Sequence, residues 1–347
     1  MPPNALQKSA AGLPRRIAIA SSIAGLAVPF VARPAAAAAT TWRIGHNAPI
    51  TFPLHRRLVE TATAIQAASH GQMDIRILPD SEAGSPLGLL QQVRRGQIDA
   101  ALLSCQILAN DLPSLAAPRC AFAFSNYDTV WAAMDGALGA FIRRSVAQRI
   151  GPVLMERCWD FGFRHISTYH KPLHTAADIR GVRIRTQPDT AVIGCLQALQ
   201  ALPLATSLDE LVESLQSHSL DGQESLLVLL QLLNLDQLQT NLALTHHVWD
   251  GLWLCISAEA WSTLPPRLQA VVADACNQGA LNQRRDTAAA ATQARDAMAQ
   301  HGMDITQPDL ASFRDKLRAA GYYRDVRQKM EHECWTLLEQ YAGRLAG

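Results

Sequence analysis

From Thr41 onward the chain alternates short apolar runs with longer stretches of helical periodicity, and this alternation restricts the fold more than any other feature. Trp42–Gly45 predicts a strand, Leu54–Ser69 a helix ending at Gly71, and Asp74–Leu78 a second strand closed by Pro79. Leu87–Arg95 predicts a helix capped by Gly96, and Ile98–Leu103 a third strand. Strands separated by helices pair in parallel, because a crossover connection must return the chain to the same direction. A second such region follows. Val153–Glu156 and Val182–Arg185 predict strands, Thr190–Leu199 and Asp209–Gln216 predict helices, and Leu220–Gly222 echoes Ile98–Asp99. Two α/β lobes with a largely parallel sheet are expected, and 347 residues suit two domains; about 100–200 residues each is the usual scale.

From Pro265 good helix formers run to about Gln300, just before Gly302. Proline suits a first helical turn because its missing N–H is unpaired there anyway. At 1.5 Å per residue the segment spans roughly 50 Å, more than one lobe is wide. One helix is therefore expected to bridge both lobes, with Gly279 as the place for a kink. Pro308–Leu345 predicts two shorter helices.

Arg15 and Arg16 precede the uncharged stretch Ile17–Ala32, followed by Arg33, Pro34 and the run Ala35–Ala39. A positive start, a short apolar run and small residues in an A-x-A pattern form a cleavable secretory signal. Residues 1–39 are assigned to it, and the mature chain is expected to start near residues 38–41 in the periplasm. The Arg15–Arg16 pair also fits a twin-arginine signal, so both export routes stay open. A membrane span needs about 20 apolar residues, and no later segment supplies them.

Lys+Arg total 31 and Asp+Glu total 30, so no charge excess points to nucleic acid. Four of the basic residues lie in the signal, leaving 27 against 30 in the body. Seven cysteines are present with no C-x-x-C pair, so small buried thiols are expected, although export permits disulfides. No G-x-x-x-x-G-K-[ST], G-x-G-x-x-G, G-x-S-x-G or H-E-x-x-H string occurs, which lowers the expectation of catalysis. His165, His170 and His174 cluster in sequence, but Lys171–Pro172 interrupts any helix there, so loop histidines are expected rather than metal ligands. His246 and His247 are adjacent and point to opposite faces of any strand. Asp209–Glu210 opens a predicted helix, where negative charge suits the dipole.

An ordered series of short strings remains. Ile44–Asn47, Ile77–Pro79, Gly96–Asp99 and Gly162–Arg164 are followed by Ala176–Arg180 and Gly181–Arg185. Then come Leu208–Glu210, Leu215–Gln216, Leu220–Glu224, Leu244–His247 and Ser257–Pro265. The series resembles the substrate-binding proteins of tripartite ATP-independent periplasmic (TRAP) transporters, the DctP-type family, over roughly residues 41–343.

The resemblance implies a periplasmic-binding-protein architecture. Two α/β lobes are joined by hinge strands around an interlobe cleft, and a long helix packs along both. Residues 40–163 with 250–290 would form lobe I, and 164–249 with 291–347 lobe II. It implies a monomer without cofactor, metal or catalytic activity, which hands a small organic acid to the small and large membrane subunits of a TRAP permease. An exported sensor reporting to a membrane receptor, and a periplasmic enzyme using the same cleft, are the alternatives.

Arg185 stands at the family's carboxylate-binding arginine. A guanidinium fork holds a carboxylate by two parallel charge-assisted hydrogen bonds, which lysine does not reproduce. Arg164 stands where many members carry a second cleft arginine, and Asn47 is a candidate polar contact. The chain departs from the family pattern at several places. Ser225 replaces an asparagine that usually reaches the ligand, and Leu226 a proline. His218 replaces a glycine, Val212 a tyrosine, and Leu208 an aromatic residue. Ser104 stands where some acid-sugar binders have glutamate, and Cys120–Phe122 replaces a Pro-Phe pair. Trp249 and Phe161 are candidate apolar walls. The departures imply a ligand other than a simple C4-dicarboxylate.

Overall fold

The computed structural model describes residues 39–206 and 209–347. The expected export signal and the departure at Leu208 lie outside the described residues. The first region runs β1 (Thr40–Gly45), α1 (Pro53–Ala68), β2 (Met73–Leu78), α2 (Pro86–Arg94), β3 (Ala100–Ser104) and α3 (Cys105–Leu108). A 3-10 turn (Pro113–Arg119), α4 (Tyr127–Met134), α5 (Ala137–Arg149), β4 (Val153–Leu154) and β5 (Trp159–Thr168) follow. The second region runs β6 (Arg183–Thr186), α6 (Thr190–Ala198), β7 (Leu202–Ala205), α7 (Asp209–Gln216), β8 (Gly222–Leu226) and α8 (Leu227–Leu232). After β9 (Asn241–Ile256) come α9 (Ala258–Ser262), α10 (Pro266–Gln300) and β10 (Asp304–Thr306). The chain closes with α11 (Leu310–Ala319), α12 (Tyr322–Gln328) and α13 (His332–Ala342).

All strands join one sheet in the order β2-β1-β3-β9-β5-β8-β6-β7, with β4 and β10 on the two ends of β9. Each end is the expected parallel βαβαβ unit: β1 pairs with β2 and β3, and β6 pairs with β7 and β8. The middle differs from a parallel sheet. There β9 runs antiparallel to both β3 and β5, and β5 runs antiparallel to β8. Strands β9, of sixteen residues, and β5, of ten, therefore belong to both ends and cross between the two units.

Helix α10 is continuous through Gly279 over 35 residues. Its length follows from its packing. Leu268, Val272 and Cys276 join Trp42, Leu54 and Leu58 in one core, whereas Ala294 and Met298 join Leu211, Leu215 and Leu230 in another. A third and larger core lies under α2, α5, α6 and the C-terminal helices, from Leu89 through Phe141 and Val192 to Leu338. The C-terminal segment forms three helices rather than two, because Gly321 at φ 79° ends α11 and starts α12. Helices α11 and α12 pack on α6, and α13 packs on α4 and α5, so this segment touches helices of both regions.

Candidate functional site

In a parallel βαβ unit, ligands bind outside the C-terminal ends of the strands, where successive connections leave a crevice. Both units obey that rule here and aim their ends at one space. His46 and Asn47 follow β1, Asp80 follows β2, Ser104 ends β3, and Gln187 follows β6. Together with Phe161 and Arg164 of β5, Asp250 of β9 and Leu229 of α8, they line a cleft of about 420 Å3.

Three arginines lie in or beside this cleft, each less than one-twentieth exposed. Arg164 lies against Glu224: Nη2 donates to Oε1 at 2.9 Å and to the Glu224 carbonyl at 3.2 Å, and Nε donates to Oε2. Its Nη1 reaches Asp250 Oδ2 at 3.1 Å. Thr186 Oγ1 also donates to Glu224 Oε1, at 2.7 Å. Burial alone would push the Glu224 carboxyl up, but the Arg164 charge and the donors around it hold it well below the usual carboxylate range. Arg119, from the 3-10 turn, pairs with Asp189, the N-cap of α6, and with Asp250.

Arg185 is different. Its Nε and Nη2 both donate to the Thr206 carbonyl, at 3.1 and 2.8 Å, and it has no carboxylate partner among the described residues. Burial, opposed by the field of Glu224 and reinforced by that of Arg164, pulls its pKa down. A buried charge without a counter-ion is costly. Arg185 is thus the one of the three whose charge meets no carboxylate among the described residues; it is not itself part of the cleft lining, although Gln187, two residues on, is.

Asn47 and Arg164 are brought to the cleft, as is Phe161. The Asn47 amide is engaged locally, donating to Ser81 Oγ at 2.9 Å and to the Gly84 carbonyl at 2.7 Å. Ser225 and Trp249 are not part of the lining. Ser225 is buried beside His165 across β5 and β8. Trp249 points away from its neighbour Asp250, as alternate strand residues do. Its ring sits edge-on to Phe124 and Trp131 in the large core.

His218, in place of a glycine, has φ 53°, a left-handed conformation that glycine adopts without cost. Its ring stacks on Tyr169 on the surface, at 4.5 Å between centroids, outside the cleft. Val212 packs against the α7–α8 core. Ser104 Oγ caps α3 by accepting from the Ile107 amide at 3.4 Å. His165 is not a loop residue: it lies on β5, while His170 and His174 are in the loop that follows.

Sequence reasoning missed Arg119, Asp189 and Asp250. A signal for Arg119 existed, since it is the one charge between Leu112 and Phe124. An arginine isolated in an apolar run is rarely buried unless paired. Its partners come from positions 70 and 131 residues away, and nothing local announces them.

Residues 44–327 match the family model described as bacterial extracellular solute-binding protein, family 7, DctP. The chain belongs to this family. Among curated relatives, the DctP-family chain is 25% identical over 304 residues to the 2,3-diketo-L-gulonate-binding periplasmic protein YiaO of Escherichia coli, covering 87% of this chain and 91% of that one. It is 22% identical to the sialic acid-binding periplasmic protein SiaP of Vibrio cholerae, over 81% of this chain and 87% of that one. A solved TRAP periplasmic solute-binding protein from Ochrobactrum anthropi superposes with a TM-score of 0.84 at 21% identity, covering 88% of this chain and 95% of that one. Another from Sulfitobacter, with bound β-D-galacturonate, gives 0.78 at 18%, covering 88% and 100%. These likenesses establish the two-lobed fold. The family is one of solute receptors, and the relatives are periplasmic proteins.

Proposed function

We propose that the mature protein is a periplasmic receptor that holds a small organic acid in the cleft and presents it to a TRAP permease for ion-gradient-driven uptake. The observation that carries this reading is Arg185, a buried guanidinium with no carboxylate partner among the described residues, beside two arginines that are already paired. An acid ligand supplies the missing charge. Arg185 forms the fork, with one N–H of Arg164 Nη1 still unspent beside it. Curated relatives that bind a keto-sugar acid and a sialic acid support an acid-sugar class over a simple dicarboxylate.

In this reading the protein acts as a monomer and is a receptor rather than an enzyme. On the same reading the lobe boundary crosses β5 near Arg164 and β9 near Asp250, and α13, expected in lobe II with the rest of residues 291–347, goes instead with α4 and α5 of lobe I, on which it packs. The pairing of Arg119 with Asp189 spans the two lobes and favours closure.

Thermal unfolding of the mature chain with a panel of sugar acids, keto acids and aromatic acids tests the reading. At 100 times its dissociation constant a ligand stabilises the native state by about 2.7 kcal/mol, a shift of several degrees. The expected result is a shift for at least one acid that Arg185→Ala abolishes. An equal shift in the mutant would show that Arg185 is not the clamp.

A further inference from the structure

A second cavity, of about 480 Å3, lies where β5 and β9 pass beside the middle of α10, at Thr287, Ala291 and Arg295. Phe161 is the only residue it shares with the cleft lining. Tyr127, Phe163 and Leu226 make its apolar wall, and two histidines, His165 and His246, stand side by side in it. Their rings meet edge-on at 83°, with centroids 4.5 Å apart.

The hydrogen bonds of the two rings fix their protons. His165 Nδ1 accepts from the His246 backbone N–H at 3.3 Å, so it carries a lone pair, and the neutral ring must carry its proton on Nε2. Burial, with the fields of His246, His247 and Arg164, keeps that ring neutral. His246 Nδ1 lies 3.0 Å from the Leu244 carbonyl, which only accepts, so Nδ1 is the donor; burial lowers the pKa of this ring too, and in its neutral form Nε2 holds the lone pair. Neither Nε2 has a hydrogen-bond partner among the described residues. One ring thus offers a donor and its neighbour an acceptor. His165 is only 2% exposed and lines the cavity, with no acceptor for its Nε2 proton among the described residues.

The backbone is bent to make this pair. The register of β9 on β5 slips between Ala243 and Val248, and within the slip His246 has φ 46°. A left-handed non-glycine residue is strained, and such strain gathers at functional sites.

We propose that this cavity is a second ligand site, for a small planar molecule with a hydrogen-bond acceptor next to a donor, as in an aromatic amide or a lactam. The ligand carbonyl accepts from His165 Nε2, its N–H donates to His246 Nε2, and its ring packs on Phe163, Tyr127 and Leu226. A carboxylate does not fit, because it would turn a second lone pair toward His246 Nε2. A metal ion does not fit either, because His165 Nε2 has no lone pair to give.

Nuclear magnetic resonance of the mature chain with 15N-labelled histidine, using benzamide and benzoate as probes, tests the site without reference to the cleft. In the free protein His165 is expected to be protonated on Nε2 and His246 on Nδ1. Benzamide should shift both Nε2 signals saturably and benzoate should not. His246→Phe should weaken benzamide at least tenfold, and His165→Gln, which keeps an N–H donor, should weaken it less than His165→Phe. The reverse tautomers, no saturable shift with benzamide, or equal shifts with benzoate would each overturn the proposal.

Discussion

Trp249 donates its indole N–H to Asp160 Oδ1 at 2.8 Å and so ties β9 to β5 beside the bulge between Asp160 and Gly162. The Gly162 amide donates to the same oxygen at 3.0 Å, and Gly162 itself has φ 114°, which only glycine adopts easily. Gln283 of α10 accepts from the Asp160 amide at 2.8 Å and donates to its carbonyl. The other carboxyl oxygen, Oδ2, is buried and has no hydrogen-bond partner among the described residues.

Burial pushes the Asp160 carboxyl up to about 7, against the pull of Trp249, Tyr127, Gly162 and Arg284. A carboxyl whose pKa is raised on folding favours the native state below its unfolded pKa, because the native state then holds the proton more tightly. That contribution is lost as pH rises from about 4 through about 7. Between about pH 5 and about pH 8, urea unfolding should therefore show Asp160 removing a few kcal/mol of stability, against the buried His46, His165, His246 and His247, whose lowered pKa values add stability over the same range. Asp160→Asn keeps the acceptor for Trp249 and should shift the difference between the two pH values by a few kcal/mol toward stability at the higher pH; an unchanged difference would remove Asp160 as a contributor.

Glu224 faces Arg164, Thr186 and His247, and is fully buried. Glu224→Gln leaves the Arg164 guanidinium short of its main counter-ion. Breaking a buried pair from one side costs about 3–5 kcal/mol. Chemical denaturation should show a loss of that size, and a loss below about 1 kcal/mol would mean that water reaches the pair.

Gly279 is where α10 crosses α1. A Cβ there would stand 2.1 Å from Thr61 Oγ1 and 3.3 Å from Thr61 Cβ. Thr61 is buried and bonded to the Arg57 carbonyl at 2.8 Å, so it has little room to turn. Gly279→Ala should cost about 1–3 kcal/mol through overpacking. Adding Thr61→Ala should recover most of that loss, and strict additivity of the two losses would refute the clash.

All seven cysteines are free and buried. Desolvation pushes their thiols up, Cys105 to about 11 and Cys158 to about 12, so almost no thiolate exists at neutral pH. A thiol reagent should find none in the native protein and seven after denaturation. A native reaction would expose a local opening.

Short-range signals were enough for the elements of both βαβ units. Proline and glycine punctuate them, and a helix or strand declares its period within a dozen residues. The ends of α1, β2 and α6 fall within one residue of expectation for that reason. The crossing strands were harder to read. Trp159–Thr168 and Asn241–Ile256 are buried on both faces, and a strand buried on both sides has no alternation to betray it.

The sequence alone determined the family, the two α/β units and the bridging helix, because each is written in contiguous residues and their order. Only the tertiary structure decided which arginines are already neutralised, that Trp249 faces a core rather than the cleft, and that two distant histidines share a cavity. Those outcomes depend on side chains 60 to 131 residues apart meeting in a low-dielectric interior. There the presence or absence of one carboxylate changes what a buried charge can bind, and no local pattern records that pairing.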